Sequence, residues 1–100
     1  MAFHGNSNKN DNPHHLYGIY DKVDESLFKY GISHDPLEAD GLSDRIRVQI
    51  SYINLAVRWQ RFYAKILIIN IQGREKAKTI ETQFIDAYHR KHGKNPRGNL

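Results

Sequence analysis

The chain predicts an α+β fold: a small three-stranded, mostly antiparallel sheet flanked by helices, in the order β-β-α-β-α. Three observations carry that expectation. There is an aromatic hairpin pattern near the start, one long apolar run in the middle, and two segments whose apolar residues recur at helical spacing. One hundred residues suffice for a single modest core.

The opening MAFHGNSNKNDNPHH is polar and lacks the apolar region of a signal peptide. Residues 1–14 are therefore expected to form a disordered leader, with the folded domain over 15–100. His14 and His15 close that leader. As neighbours on a strand they would face opposite ways, which argues against a metal-binding pair.

Leu16–Tyr20 and Leu27–Ser33 are short, aromatic and β-branched, with DKVDES as the turn between them; they read as an antiparallel hairpin. SHDPLEADG follows as a loop, broken by Pro36 and Gly41. Ser43 is a natural N-cap, with Asp44 in the first helical turn. Ile46, Ile50, Ile53 and Val57 then line one helical face. FYAKILIINI, from Phe62 to Ile71, is the most apolar run and reads as a buried central strand. A second helix follows Gly73 and is closed by Gly93, with Pro96 beyond it.

Charge is distributed unevenly along the chain. Net charge is +4 overall. Residues 1–44 hold three Lys and Arg against eight Asp and Glu, a balance of −5, whereas residues 45–100 hold twelve against three, a balance of +9. A one-signed region of this kind attracts polyanions, nucleic acid first among them. Arg47, Arg90, Lys91, Lys94 and Arg97, with Asn95, are the expected nucleic-acid contacts. No apolar run is long enough to span a bilayer, so no membrane partner is expected. The absence of cysteine fits a reducing compartment.

Helical periodicity places two charges away from the solvent faces. In the second helix Ala77, Ile80, Phe84, Ile85 and Tyr88 form the apolar arc, and Glu81 lies inside it. In the first helix Arg47, Ser51, Asn54 and Arg58 form the polar arc, and Arg45 points nearly opposite, beside Gln49. A buried carboxylate demands a partner. An ion pair satisfies that demand, and so does a site that holds a metal ion and a phosphate. On the hairpin, Leu16, Gly18 and Tyr20 share one face, and Lys29, Gly31 and Ser33 share another. Glycines on a strand mark a floor where a ligand approaches closely, from which Tyr20 and Lys29 would project. Tyr30 points by alternation to the core.

YGIY, KYGIS, LSDRIRVQI, AKTIETQFI and NPRGN, in this order, resemble the motifs of the GIY-YIG nuclease family from about Leu16 to Asn99. The resemblance implies a metal-dependent phosphodiesterase. It places Tyr20 at the first motif's tyrosine, Lys29 where the second motif has its catalytic tyrosine, Arg45 on the scissile phosphate and Glu81 on the metal. Asn99 falls at the closing asparagine, with Asn95 as the second choice. The general base is then Tyr20, ahead of Tyr30, Lys29 and a contribution from His34. One Mg²⁺ or Mn²⁺ ion is the implied cofactor, and DNA rather than RNA the expected substrate. The chain's basic ending and polar leader look similar to nuclease domains of bacterial polymorphic toxins. That likeness implies delivery into a target cell's cytoplasm within a larger toxin, and a cognate immunity protein as partner. The alternatives are a stand-alone mobile-element or repair nuclease and a non-catalytic nucleic-acid-binding module.

Overall fold

The computed structural model describes residues 12–99. Strands β1 (Pro13–Asp21) and β2 (Leu27–Ser33), helix α1 (Asp44–Val57), strand β3 (Phe62–Gln72) and helix α2 (Arg74–His92) follow one another as the spacing predicts. Both strand pairs are antiparallel and the spatial order is β2-β1-β3. β2 and β3 therefore run parallel on either side of β1, a relationship that needs a crossover, and α1 supplies it. Of the expected leader, residues 1–11 lie outside the described residues, while Pro13 and His14 already belong to β1.

The expected central position of Phe62–Ile71 is corrected. β1 is the middle strand and is buried over most of its length. β3 is an edge strand with Lys65, Ile69 and Asn70 exposed. Its apolarity reflects side chains given to both faces: Phe62, Ala64 and Ile66 pack with α1, and Leu67, Ile68 and Ile71 with α2. The two helices cover opposite faces of the sheet. Tyr17, Ile19, Ile46 and Phe62 centre one core, and Leu16, Ile71 and Ala77 the other.

Local chemistry sets the element ends. The Ser43 hydroxyl accepts from the Ile46 N–H at the start of α1 and hydrogen-bonds the Ser33 hydroxyl, 3.1 Å away. Arg58 closes α1 in a left-handed conformation, φ 63°. Gly93 closes α2 at φ 78°, where a side chain would be strained. Asn54, expected on the solvent arc of α1, is buried. Its carboxamide accepts from Phe62 N–H at 2.7 Å and donates to Phe62 C=O at 3.1 Å. It pins the start of β3 to α1.

One bulge corrects the expected facing of β2. Ile19 pairs with Lys29 but Tyr20 with Leu27, leaving Phe28 as the extra residue. Phe28 swings to the α1 side, its ring centroid 4.8 Å from that of Phe62. Tyr30 and Ile32 stay on the α2 side, with Tyr30 edge-on to Phe84.

Candidate active site

The register places Tyr17 opposite Gly31, and that pairing builds the site. A Cβ at Gly31 would overlap the Tyr17 ring, so the glycine lets the ring lie across the strand towards the outer edge of β2. There the Tyr17 hydroxyl donates to Gln49 Oε1 on α1 at 2.7 Å. Gly18 opens the other face of the sheet, where the Tyr20 ring covers it. The two glycines thus do not form one bare floor. Each is roofed by a tyrosine, on opposite faces.

A cleft of about 430 Å³ follows the edge of β2. Residues 29–34 of β2 and its end line the floor. Arg45 and Gln49 stand on the α1 side, Arg74, Lys78, Glu81 and Ile85 on the α2 side, and Asn95, Gly98 and Asn99 at the C-terminal end; Tyr17 and His14 enter from β1. The tail is fastened to the sheet. Gly98 N–H donates to Phe28 C=O at 2.8 Å. Asn99 accepts from Tyr30 N–H at 2.7 Å and donates to Tyr30 C=O at 2.8 Å. Asn99 so satisfies part of an edge strand's free backbone and holds Lys29 and Tyr30 in place.

Of the expected catalytic residues, the cleft gathers Lys29, Tyr30, Arg45, Glu81 and Asn99, together with Asn95. Tyr20 is elsewhere. It stacks on Tyr63 with centroids 5.7 Å apart, under the Lys65 ammonium. Tyr17 stands in the cleft instead, a residue that spacing alone did not single out because the pairing register was needed to see it. Several expected nucleic-acid contacts are otherwise engaged. Arg47 is held by Glu38, Asp40 and Asp44. Arg97 joins Arg61 on the buried Asp21 carboxylate. Arg90 and Lys94 are exposed outside the cleft, and Lys91 lines an apolar groove beside Tyr30, Phe84 and Tyr88.

Glu81 is 6% exposed, and its partner is Lys78, one turn earlier, at 2.7 Å. The long stem of Lys78 lets its ammonium reach the carboxylate while the side chain stays half exposed. The side chains of Arg45 and Lys29 make no hydrogen bond or ion pair with the described residues. Burial pushes the Tyr17 hydroxyl above its ordinary pKa; the Arg45 charge opposes that shift and the Glu81 charge adds to it. The phenol therefore lies within the fields of both helices' charges. Burial raises Tyr20 and Tyr30 as well.

With Arg45, Lys29, Arg74 and Lys78 around one carboxylate, the cleft suits an anion. No group of three or more His, Cys, Asp or Glu side chains able to hold a metal occurs among the described residues. With Glu81 as its carboxylate, already paired with Lys78, the donor set could serve a hard divalent ion that keeps most of its waters. It does not fit an ion needing a full protein cage. No helix of the described residues is long and apolar enough to cross a membrane.

Compared with known protein families, residues 7–93 match the family described as URI fold toxin 2. No curated protein and no solved structure gives a significant match.

Proposed function

The chain belongs to the URI fold toxin 2 family, and from that premise we propose that it is a toxin's nuclease domain, a metal-dependent endonuclease of the GIY-YIG kind that hydrolyses DNA phosphodiester bonds. The supporting observation is the meeting of Arg45 and Glu81 in one cleft, from helices on opposite faces of the sheet, with the Tyr17 hydroxyl within the field of both charges.

Each group has a definite task in this reading. Arg45 and Lys29, unpaired among the described residues, take phosphate oxygens, where a charge-assisted hydrogen bond is stronger than a neutral one. Arg45 also stabilises charge that grows on the phosphorus centre. Tyr17, rather than Tyr20, orders the reacting end of the cleft through its hydrogen bond to Gln49. Glu81 is the residue that would hold one Mg²⁺ or Mn²⁺, whose chemistry when bound is to polarise the phosphate and the leaving oxygen. Asn99 fixes the strand that carries Lys29. An immunity protein that presents acidic side chains to this cleft is the complementary partner, because it would compete with phosphate for the same cations.

The test is plasmid cleavage with Mg²⁺, compared with cleavage in EDTA and with Glu81→Gln. Wild type should nick or cut only with the metal. Glu81→Gln should be inactive yet fold at least as stably, since a buried charge is removed and Lys78 can turn to solvent. Undiminished cutting by Glu81→Gln, or by wild type in EDTA, would overturn the reading. DNA retardation in EDTA with no cleavage under any condition would make the domain a binder.

A further inference from the structure

Neither tyrosine that lines the cleft is well placed to take a proton from water. Tyr17 donates its own hydroxyl proton to Gln49 and burial raises its pKa. Tyr20 is outside the cleft. Tyr30 is also raised by burial. His14 is different. It is 1% exposed and lines the cleft with Arg74, Lys78 and Glu81. Its Nδ1 lies 2.6 Å from the Asn12 carbonyl oxygen. A carbonyl only accepts, so Nδ1 carries the proton and Nε2 of the neutral ring carries a lone pair. That Nε2 is the buried side-chain nitrogen or oxygen with no hydrogen-bond partner among the described residues.

A buried polar atom without a partner is costly and calls for an explanation. We propose that His14 is the general base of the reaction, with Nε2 receiving a proton from the attacking water. This rests on the nuclease reading above. The water's O–H bond breaks and its proton passes to Nε2. The water oxygen forms a bond to phosphorus, and the bond from phosphorus to the leaving sugar oxygen breaks. That oxygen keeps the electron pair and takes a proton from solvent, and the imidazolium later returns its proton to solvent. The fixed Nδ1–H bond holds the tautomer this step needs, as a second hydrogen bond commonly does for a working histidine.

The surroundings keep the ring neutral. Burial lowers the pKa of His14 below its ordinary value, and nearby His34 and Arg74 lower it further, against the opposing bond to Asn12. The His34 ring centroid lies 5.6 Å away. His15, the next residue on β1, hydrogen-bonds Asn70 N–H and also has a lowered pKa. Lys78, Arg45 and Lys29 also line the cleft, and Glu81 is its one carboxylate among the described residues. Cleavage should therefore rise with pH to a plateau, with its acid midpoint below about 6.5.

The experiment compares wild type with His14→Asn, whose carboxamide can keep the bond to Asn12. Cleavage of plasmid DNA with Mg²⁺ is followed from pH 5 to 8. A fall on the order of 10²-fold or more in kcat is expected, with the acid limb lost and DNA binding in EDTA unchanged. A folded His14→Asn protein that keeps the wild-type rate and acid limb overturns the proposal while leaving the nuclease reading intact. A wild type that never cleaves brings down both. Nitrogen-15 NMR of the metal-free wild type gives an independent readout that decides the matter if the variant does not fold. Nδ1–H with a midpoint below about 6.5 is expected, and an Nε2–H tautomer would overturn the assignment.

Discussion

Gly31 and Gly18 look equivalent in sequence, each beside a tyrosine, and physics separates them. A methyl group at Gly31 collides with the far end of the Tyr17 ring, which is buried and tied to Gln49. A methyl at Gly18 meets Tyr20 at 2.9–3.1 Å, but that ring is only partly buried and can yield. Gly31→Ala should cost about 1–3 kcal/mol as overpacking, lowering Tm by roughly 4–8 °C per kcal/mol. It should also abolish cleavage, because Tyr17 leaves the cleft. Gly18→Ala should be milder on both counts. Thermal melts and cleavage rates on the pair check this, and equal effects would show that Tyr17 is not held by the glycine opposite. Arg47 carries a related lesson. It sits on the expected polar arc, yet three carboxylates surround it, and its guanidinium hydrogen bonds hold Asp40 near a pKa of about 2. The acidic loop before α1 was the visible clue.

At the level of elements, two asparagines do the same job for two strands. Asn54 clips the start of β3, and Asn99 clips the middle of β2, each by one accepted and one donated backbone bond. They differ in burial: Asn54 is 4% exposed, whereas Asn99 sits at a sheet edge where water can replace it. Asn99→Ala should therefore cost only about 1 kcal/mol in stability. Its effect on catalysis should be larger, on the order of 10–10²-fold, because Lys29 and Tyr30 lose their fixed position. Denaturant melts and cleavage rates measured on one preparation test the split. A large stability loss with normal activity in the surviving fold would make Asn99 a purely structural residue. The sequence pattern of NPRGN marked the position, but the two-bond clip depends on where the tail returns.

For the molecule as a whole, Asp21 joins three remote parts of the chain. It lies at the end of β1, buried, and binds Arg61 before β3 and Arg97 in the tail. The hydrogen bonds from Arg61, with those from the Val23 N–H and from Arg97, hold its carboxyl well below the ordinary value against the effect of burial. A depressed carboxyl adds stability that is complete above its ordinary pKa of about 3.9 and disappears as pH falls through the folded value. Melting temperature should accordingly drop on acidification below about pH 4. Asp21→Asn should be less stable at pH 7 and show a shallower acid dependence, since its side chain does not titrate. An unchanged acid slope would locate the pH sensitivity in other carboxylates. The tail's attachment through Arg97 also means that acid should loosen the end of the cleft that Asn99 closes.

What the amino-acid order determined by itself was local. Ser43 announces a helix start and Gly93 a helix end because capping needs particular side chains and φ values; the periods of two and 3.6 residues located the strands and helices. Periodicity also found Glu81 and Arg45, since a charge inside an apolar arc is visible without coordinates. Strand order, pairing register and bulges were decided only in three dimensions. They depend on which long-range contacts bury the most surface and satisfy the most backbone, and no short stretch encodes that. For that reason β1 rather than β3 became the centre, Tyr17 rather than Tyr20 reached the cleft, and Asn54 went inside. His14, expected at the end of a polar leader, entered the strand and the cleft because the sheet extends one turn of pleat further than its apolar residues suggest.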